Sequence, residues 1–441
     1  MPDVVADVRS SQEVMKLSSH PLTFSQSFLT AVGSDGSGCA DGHVIGVTVQ
    51  VDERMERERL QQALNRVVAH HTSLRSHIGL DDTTPRMVID PPAQVELLVE
   101  AALDDDEAAQ ARALQVQESL EARGISLTDS PLIRASLVHT DARSWLGLVL
   151  HHVAGDAHAL AVVMRDVLAA YDDALGENDG ETYADFAFRQ AALAASDGWA
   201  DDIDWWRQQL AGASLATAPG RADLPFGPGS GGPYVAHVFH LDPSLTERVM
   251  TVCLTRGTTP FSVLMAAFVH TARAHMSEDA TSFMTIASGR DSSSRDTVGT
   301  FFNHVPVAVP HAPSAQPLDL VDTVHHAWES ARSHEAPFRL LVENGVEGID
   351  FSKDPTRVPV TFEWIPPAPH WRGSRTTRQV PSVPGESPSA DLPMGALWLM
   401  RLNDLDALEG VLRYSPTDVT PEIVLTWIAG FRDFLERACP A

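Results

Sequence analysis

The stretch WLGLVLHHVAGDAHALAVVMRDV, residues Trp145–Val167, joins an apolar run to a second run with apolar residues at helical spacing. The first run has the length and composition of a buried strand, and the second predicts a helix. His151 and His152 therefore stand at the end of the predicted strand, and Asp156 stands in the short turn before the helix. The predicted local order is strand, histidine pair, turn and helix.

Three interpretations of the segment HHVAGD compete. In the first, the histidines end the strand and make ordinary hydrogen bonds. In the second, the two imidazoles and Asp156 bind zinc, a metal that accepts nitrogen and oxygen ligands. Adjacent side chains of a strand point to opposite faces, so His151 and His152 would converge on one ion only where the strand has ended.

In the third interpretation, one histidine faces a cavity as a general base, the other supports the interior, and Asp156 fixes the local geometry. Histidine suits this work because its ordinary pKa lies near the operating pH. The sequence contains no GxSxG motif and no cysteine in a catalytic context. A histidine base would therefore activate a substrate's own amine or hydroxyl rather than an enzyme nucleophile.

Length, charge and cysteine content limit the class of protein. The 441 residues exceed the ~250–300 at which a single core stops growing, so two domains are expected. A formal net charge of -27 argues against nucleic-acid binding and against an anionic membrane surface. Without a secretory signal or an apolar run of ~18–20 residues, a cytoplasmic protein is expected. Cys39, Cys253 and Cys439 are widely spaced without a CxxC motif, so they indicate neither a disulfide framework nor a zinc-thiolate site.

The organisation along the chain predicts an α/β or α+β protein, because helical and strand-like segments alternate in two halves. The polar, glycine-containing residues 176–182 suggest a boundary, which gives domains of residues 1–176 and 177–441. Residues 365–392 contain six prolines and no periodicity. An exposed loop or crossover is expected there.

The segment HHVAGDA resembles the HHxxxDG signature of the condensation-domain and CoA-dependent acyltransferase superfamily. Other stretches are similar to motifs of nonribosomal peptide synthetase condensation domains, and they follow in that family's order. They are PLTFSQSFL (Pro21–Leu29), HHTSLRS (His70–Ser76), YADFAFRQ (Tyr183–Gln190), SGRD, VGTFFNHVPV, HEAPF (His334–Phe338) and RYSPTDVTPE. The matches run from about residue 21 to 422, so the resemblance covers nearly the whole chain.

The resemblance implies two chloramphenicol-acetyltransferase-like lobes in a V-shaped arrangement, with the active site in a tunnel at their junction. Carried over residue by residue, it makes His152 the candidate base, His151 a structural residue and Asp156 a geometric anchor. Arg290, in SGRD, stands where the family's arginine pairs with that aspartate. An aspartate beside an arginine stays ionised, so Asp156 is expected to orient the turn rather than to act as an acid.

Three positions depart from the family pattern. Ala157 replaces the glycine of the signature, and alanine adopts a positive φ less freely than glycine. Its backbone N–H is still available to polarise a thioester carbonyl. His304 replaces the usual threonine, and Arg189 stands where an aromatic residue is usual. Ala157, Gly155, Asn303 and His304 are candidates for the oxyanion site or the tunnel wall, and no bound metal is expected.

The function implied is that of a free-standing condensation enzyme in natural-product biosynthesis. His152 would take a proton from an amine or alcohol acceptor as the acceptor attacks an acyl thioester, giving an amide or an ester. The donor is expected on the phosphopantetheine of a carrier protein in trans, or on coenzyme A, with a monomeric enzyme and no permanently bound cofactor. Two alternatives are a CoA- or polyketide-carrier-dependent O-acyltransferase of the same superfamily and a non-catalytic recruitment module.

Overall fold

The structure is a computed structural model that describes residues 19–31, 42–81, 84–177, 180–219, 235–311, 316–349, 357–365, 376–380, 395–403 and 407–440. Cys39 lies outside these residues. The chain folds into two compact units. The first contains residues 1–198, 289–302 and 368–382, and the second contains residues 199–288, 303–367 and 383–441. The boundary after residue 176 stays a prediction, while residues 177–198 fall within the first unit.

The first unit is built around a five-stranded sheet. Its strands, in spatial order, are β13 (Thr377–Val380), β2 (Val44–Val51), β7 (Ser144–His151), β6 (Ile133–His139) and β5 (Glu96–Val99). Neighbouring strands are antiparallel except β5 and β6, which are parallel. A smaller antiparallel sheet has the order β1 (Ser19–Pro21), β4 (Thr84–Ile89) and β3 (Ser76–Asp81).

Helices cover both faces of the central strand β7. The described helices of this unit are α1 (Phe24–Ala31), α2 (Arg57–His70), α3 (Asp106–Arg123), α4 (Ala157–Tyr171) and α5 (Tyr183–Ala195), with a 3-10 turn at Thr72–Arg75. Leu146, Leu148 and Leu150 of β7 join the apolar cluster that contains α2 and α4. Trp145 and Val149 point the other way and pack with α3. A strand buried on both faces has a continuous apolar sequence, and this is the run that predicted β7.

The second unit contains a larger mixed sheet. Its main strands, in spatial order, are β11 (Asn303–Ala308), β10 (Ser282–Ala287), β12 (Arg357–Ile365), β14 (Ala396–Leu402), β15 (Leu408–Tyr414) and β9 (Val235–His240), and β8 (Thr217–Pro219) also pairs with β12. Strand β12 runs parallel to both β10 and β14, and the other pairs are antiparallel. The described helices are α6 (Ala200–Gln209), α7 (Pro243–Arg256), α8 (Pro260–His275), α9 (Pro317–Ser333), α10 (Phe338–Glu343) and α11 (Pro421–Ala438).

Helix α8 shows how the local sequence sets an element of this second core. Thr259 is its N-cap, and the Thr259 hydroxyl accepts a hydrogen bond from the Ser262 N–H at 3.2 Å. Pro260 occupies the first turn, where its missing N–H leaves no donor unpaired. The helix is apolar on nearly every side and is buried over most of its length, as expected for the central helix of a large core.

One prediction about the proline-rich segment is wrong in part. Residues 365–392 were expected to form an exposed loop or crossover, but Thr377–Val380 forms β13 and pairs antiparallel with β2. The sequence TRQV carries too few apolar residues to predict a strand, because an edge strand buries little and is held mainly by its backbone hydrogen bonds. Residues 366–375 and 381–392 of that segment lie outside the described residues.

No single helix in the described part of the chain is both long and apolar enough to cross a membrane. Helices α7 and α8, which meet at 111°, reach the required length and composition only when taken together.

Candidate active site

The histidine pair lies where β7 ends. His151 is the last residue of the strand and is buried, whereas His152 begins the turn and is half-buried. The backbone N–H of Val153 donates to His151 Nδ1 at 3.0 Å, so this nitrogen carries a lone pair and neutral His151 has its proton on Nε2. The backbone N–H of His152 donates to the carbonyl of His43 at 2.8 Å. The two histidines are thus unequal in burial and in hydrogen bonding.

The ring of His152 is enclosed by other side chains of the first unit. The ring centroids of His43 and Phe302 lie 4.9 Å and 5.2 Å from it, both in edge-to-face arrangements. The hydroxyl oxygen of Thr300 is 3.4 Å from His152 Nδ1. Burial lowers the pKa of His152 below its usual value, although the charge of Asp156 acts in the opposite direction. A histidine with a lowered pKa is neutral at neutral pH and can accept a proton.

Gly155 and Gln26 hold the turn that carries His152 in place. Gly155 is buried, and a Cβ at this position would lie 2.8 Å from the Cβ of Ala159. The side-chain amide of the fully buried Gln26 donates to the carbonyl of Val153 at 3.0 Å. Gln26 belongs to the stretch PLTFSQSFL, so this motif supports the turn directly.

Asp156 is the centre of a buried network of donors. Its Oδ1 accepts from the N–H of Ala159 at 2.8 Å, as the N-cap of α4, and from Arg290 Nη2 at 2.9 Å. Its Oδ2 accepts from the N–H of Phe301 at 2.9 Å. The Asp156 and Arg290 side chains are 9% and 5% exposed. One carboxylate therefore joins the start of α4 to the segment 289–302.

Arg290 holds the same segment in a tight loop. Its Nη1 donates to the carbonyls of Ser294 at 2.8 Å and Thr297 at 2.7 Å, and its Nη2 donates to the carbonyl of Gly299 at 3.0 Å. Its guanidinium lies 4.1 Å from the centroid of the Phe301 ring. Asp156 and Arg290 therefore form a buried ion pair, and the structural role that the resemblance implied for them stays a prediction.

Ala157 occupies the first position of α4 and is exposed. Among the residues with known placement, the only ones other than glycine with a positive φ are Asp173 and Asp197. Alanine at position 157 is therefore unstrained, because the residue opens a helix rather than a left-handed turn. Its replacement of the signature glycine is compatible with the fold of the turn.

Ala157→Gly is expected to lower the free energy of unfolding by ~0.5–1 kcal/mol, since glycine loses more backbone entropy than alanine in a helix. Urea unfolding of the two proteins under identical conditions measures this difference. Stabilisation by glycine would mean that the alanine is strained.

Asn303 and His304 belong to β11 of the second unit. The Asn303 amide nitrogen donates to Glu335 Oε1 at 3.1 Å and to the carbonyl of Ala336 at 2.9 Å, while its oxygen accepts from the N–H of Phe338 at 2.9 Å. Asn303 thus satisfies the polar groups of the HEAPF segment. His304 is buried, with its ring centroid 5.5 Å from that of Phe338. Burial lowers the pKa of His304 to about 4.

The low pKa of His304 predicts a loss of stability in acid. The pKa of a histidine in the unfolded chain is ~6.5. Between this pH and about 4, the unfolded chain binds a proton at position 304 that the folded chain does not bind. The free energy of unfolding therefore falls as the pH falls through this range. His304→Thr, which introduces the usual family residue, is expected to reduce the stability lost between pH 7.5 and 5 by ~2 kcal/mol. Urea unfolding at the two pH values tests this, and equal losses in both proteins would contradict it.

Sequence reasoning missed several residues that shape the site. His43 and Phe302 contact the His152 ring, and the buried Tyr183 hydroxyl donates to the carbonyl of Thr300 at 2.6 Å. Tyr183 was assigned to a family motif, but its partner was not foreseeable because 117 positions separate them. His43 carried one usable signal, since it directly precedes the strand that pairs with β7.

A cluster with metal-ligand geometry occurs elsewhere in the first unit. Potential ligand atoms of His70, His71 and Asp166 lie within 4.8 Å of one another. The carboxylate of Asp166 already binds His71 Nε2 at 2.8 Å and Arg165 Nε at 2.8 Å. These bonds give the cluster a structural explanation.

Comparison with known proteins matches the chain to one family and to short parts of much longer proteins. The family profile described as Condensation domain matches residues 19–355. Chondramide synthase cmdD of Chondromyces crocatus is 25% identical over 308 residues, which are 66% of this chain and 8% of that protein. Tyrocidine synthase 3 of Brevibacillus parabrevis is 25% identical over 350 residues, which are 78% of this chain and 5% of that protein. The chain thus spans less than a tenth of either relative.

Solved structures share the fold over nearly the whole chain. The SgcC5 protein from Streptomyces globisporus, in complex with (R)-(-)-1-(2-naphthyl)-1,2-ethanediol and sucrose, has a TM-score of 0.82 and 24% identity, covering 96% of this chain and 100% of that one. The first condensation domain of the calcium-dependent antibiotic synthetase has a TM-score of 0.75 and 18% identity, covering 96% of each chain. The X-domain from teicoplanin biosynthesis has a TM-score of 0.73 and 22% identity, covering 95% of this chain and 94% of that one.

The mixed α/β architecture is therefore that of condensation domains, which have chloramphenicol-acetyltransferase-like halves. This confirms the predicted fold class. The match over residues 19–355 shows that the chain belongs to the condensation-domain family. Condensation domains form amide or ester bonds in nonribosomal peptide synthesis, and their substrates are bound to carrier proteins.

Proposed function

We propose that this protein is a condensation enzyme in which His152 is the general base. The observation that carries the proposal is the enclosed, half-buried imidazole of His152, whose pKa is lowered by burial, beside a turn held by Asp156 and Arg290. A neutral imidazole in a fixed orientation can take a proton from an attacking amine or hydroxyl. General base assistance of this kind typically supplies ~10²–10⁴-fold in rate.

The proposed step transfers an acyl group from sulfur to nitrogen or oxygen. The nitrogen or oxygen atom of the acceptor attacks the thioester carbonyl carbon, a C–N or C–O bond forms as the C=O π electrons move to the oxygen, and His152 receives the acceptor's proton. The C–S bond then breaks, and the proton passes from His152 to the departing thiolate, which leaves as a thiol. The backbone N–H groups of Gly155 and Ala157 are candidates for stabilising the carbonyl oxygen. Holding donor and acceptor together would contribute ~7–11 kcal/mol at most.

The proposed donor is an acyl group on the phosphopantetheine arm of a carrier protein supplied in trans. The phosphopantetheine group then enters the site as part of the substrate, and the proposal includes no separately bound cofactor. Because the chain has a net charge of -27, docking of an acidic carrier would use a local patch of arginine or lysine. The cytoplasmic location and the monomeric state expected from the sequence stay predictions.

A specific observation favours an alcohol acceptor as one form of the proposal. The SgcC5 protein, whose whole chain is covered by the structural match, was crystallised with a 1,2-ethanediol derivative. An alcohol acceptor would give an ester, and a coenzyme A donor would place the enzyme with the O-acyltransferases of the same superfamily. The second candidate function is the non-catalytic recruitment module. The structural likeness to the X-domain from teicoplanin biosynthesis, which has been solved in complex with the protein OxyB, supports it.

Intact-mass spectrometry of a loaded carrier protein tests the proposal. The carrier is loaded with a panel of acyl and aminoacyl groups and is incubated with the enzyme and a panel of amines and alcohols, with the same acyl groups on coenzyme A in parallel. Loss of the acyl mass from the carrier, with formation of the amide or ester, supports the condensation enzyme. Equal turnover of the coenzyme A thioesters supports the O-acyltransferase. Carrier binding without a product from any thioester supports the recruitment module and contradicts the proposal.

A further inference from the structure

Thr300 places a buried hydroxyl against the candidate base. It lies in the stretch VGTFFNHVPV, whose resemblance to a family motif assigns no role to this side chain. Thr300 is fully buried, and its Oγ1 is 3.4 Å from His152 Nδ1. That nitrogen is the only hydrogen-bond partner of the hydroxyl among the described residues. Because a buried hydroxyl is costly unless it is hydrogen-bonded, the contact with His152 is the interaction that accounts for this side chain.

The backbone at Thr300 is held firmly in the first unit. Its carbonyl accepts from the Tyr183 hydroxyl at 2.6 Å, and the N–H of the next residue donates to Asp156 Oδ2 at 2.9 Å. Burial raises the pKa of Tyr183, so its hydroxyl keeps the proton that it donates. The Thr23 hydroxyl lies 2.9 Å from the Tyr183 hydroxyl and supports it from behind. The side chain of Thr300 is therefore fixed relative to the ring of His152.

The backbone near the ring indicates which nitrogen of His152 carries the proton. Burial lowers the pKa of His152, and the charge of Asp156 and hydrogen bonds to the backbone of His152 and Gly155 oppose burial. A backbone group that favours the charged ring is a carbonyl, which only accepts hydrogen bonds. The carbonyl of a histidine is within reach of its own Nδ1 but not of its Nε2, so neutral His152 has its proton on Nδ1. The Thr300 hydroxyl then accepts from Nδ1.

We propose that Thr300 is a positioning residue for acyl transfer, whose hydroxyl accepts from His152 Nδ1–H, leaves Nε2 as the base and stabilises the imidazolium formed during the reaction. The inference rests on the proposed function, because Thr300 acts through His152. A distance of 3.4 Å is long for a hydrogen bond, and it is expected to shorten when the ring becomes charged, because charge-assisted hydrogen bonds are shorter and stronger. An interaction that strengthens in the transition state raises kcat rather than lowering KM.

Substitution of the hydroxyl alone tests the contact. Thr300→Val keeps the branched shape and removes the hydrogen-bond acceptor, whereas Thr300→Ser keeps the hydroxyl. With one loaded carrier and one acceptor, Thr300→Val is expected to lower kcat roughly 10-fold with little change in KM, as for the loss of one hydrogen bond to a charged group. Thr300→Ser is expected to stay within about 3-fold of the wild type. An unchanged kcat for Thr300→Val, or an equal loss for Thr300→Ser, overturns the proposal.

The pH dependence of kcat/KM gives a readout that a change of packing would not move. A hydrogen bond accepted from Nδ1–H favours the charged ring, so removing it lowers the pKa of His152. The rise of the rate with pH is therefore expected at lower pH in Thr300→Val and at the wild-type pH in Thr300→Ser. The other titratable groups near the ring are His43, whose pKa burial keeps well below its usual value, and Asp156, which is paired with Arg290. A rise at the same pH in all three proteins contradicts the proposal.

Thr48→Val is the matched control. Thr48 is also a fully buried threonine of the first unit, but its hydroxyl donates to Gln117 Oε1 at 2.5 Å, and it pairs with Gly147 in the interior of β7. The variant is expected to keep the wild-type kcat and pH profile, whatever stability it loses in thermal unfolding. Equal losses of kcat in Thr48→Val and Thr300→Val would make the effect a general one of deleting a buried hydroxyl, and the role of Thr300 would be overturned.

NMR spectroscopy tests the contact without acyl transfer. In protein with isotope-labelled histidine, long-range nitrogen–proton correlations distinguish the two neutral tautomers, and the signals absent from His152→Ala identify His152. We expect the proton on Nδ1 in the wild type and a lower pKa of the ring in Thr300→Val; a proton on Nε2, or an unchanged pKa, overturns the inference while the proposed function stands. If the ring responds as expected but no acceptor is acylated from any donor, the proposed function fails, and the role of Thr300 in it fails too.

Discussion

His152→Ala is expected to lower kcat/KM for acyl transfer by ~10²–10⁴-fold, which is the usual contribution of a general base. The imidazole of His152 has a lowered pKa and sits between the rings of His43 and Phe302. Alanine removes the proton acceptor and leaves the rest of the turn in place, because the backbone N–H at position 152 can still donate to His43. The measurement is the initial rate of product formation with the best donor and acceptor from the mass-spectrometric panel.

The loss should be specific to the proton-accepting side chain. His158→Ala is the control, because His158 is close in sequence and its Nε2 lies 2.8 Å from the carbonyl of Arg295, a contact away from the turn. We expect this variant to retain activity within a few-fold of the wild type, with both variants unfolding at wild-type temperatures. Full activity of His152→Ala with a competent donor would refute the assignment of the base.

Asp156→Asn is expected to destabilise the protein by ~3–5 kcal/mol, the range observed when one partner of a buried ion pair is removed. Both carboxylate oxygens of Asp156 accept from donors, namely the N–H groups of Ala159 and Phe301 and the guanidinium of Arg290. An asparagine amide would point its NH₂ group at one of these donors and leave the arginine charge uncompensated. Urea unfolding measures the loss, and activity is expected to fall with it.

A double-mutant cycle measures the interaction energy between Asp156 and Arg290 apart from their other contacts. Arg290→Met alone removes one donor from each of the carbonyls of Ser294, Thr297 and Gly299, of which Ser294 and Gly299 keep a backbone N–H donor. Combined with Asp156→Asn it should cost less than the sum of the two single changes. Arg339→Met is the matched control, because Arg339 and Glu343 form a half-exposed pair expected to contribute below ~1 kcal/mol. A stable, soluble but wholly inactive Asp156→Asn would contradict the structural role and favour a chemical one.

Local sequence predicted the elements near the site because their signals are local. The continuous apolar run of β7 and the helical spacing of α4 define the strand and the helix, and strand geometry already made His151 and His152 unequal. The structure agrees, with one histidine buried and one half-buried. The edge strand β13 escaped prediction because residues 377–380 have no apolar pattern and are held by pairing with β2.

Some contacts near the site join residues that are far apart in the sequence, and only one of these contacts was predicted. The Asp156–Arg290 pair was implied by resemblance to the family, although 134 positions separate the two residues and no spacing rule connects them. The hydrogen bond from the Gln26 side chain to the Val153 carbonyl and the contact between the His43 and His152 rings were not predicted. A side chain's partner depends on which elements the fold brings together, and that is not encoded in the residues beside it.

The sequence by itself determined the family, the fold class and the candidate base, because ordered motifs and the alternation of helix and strand are written along the chain. The tertiary structure alone decided what surrounds that base. It enclosed the His152 ring between His43 and Phe302, set Ala157 as an unstrained first residue of α4, and left His43 Nδ1 buried without a partner among the described residues. The physical reason is that burial and hydrogen-bond pairing are properties of packed neighbours, which only the folded chain brings within contact distance.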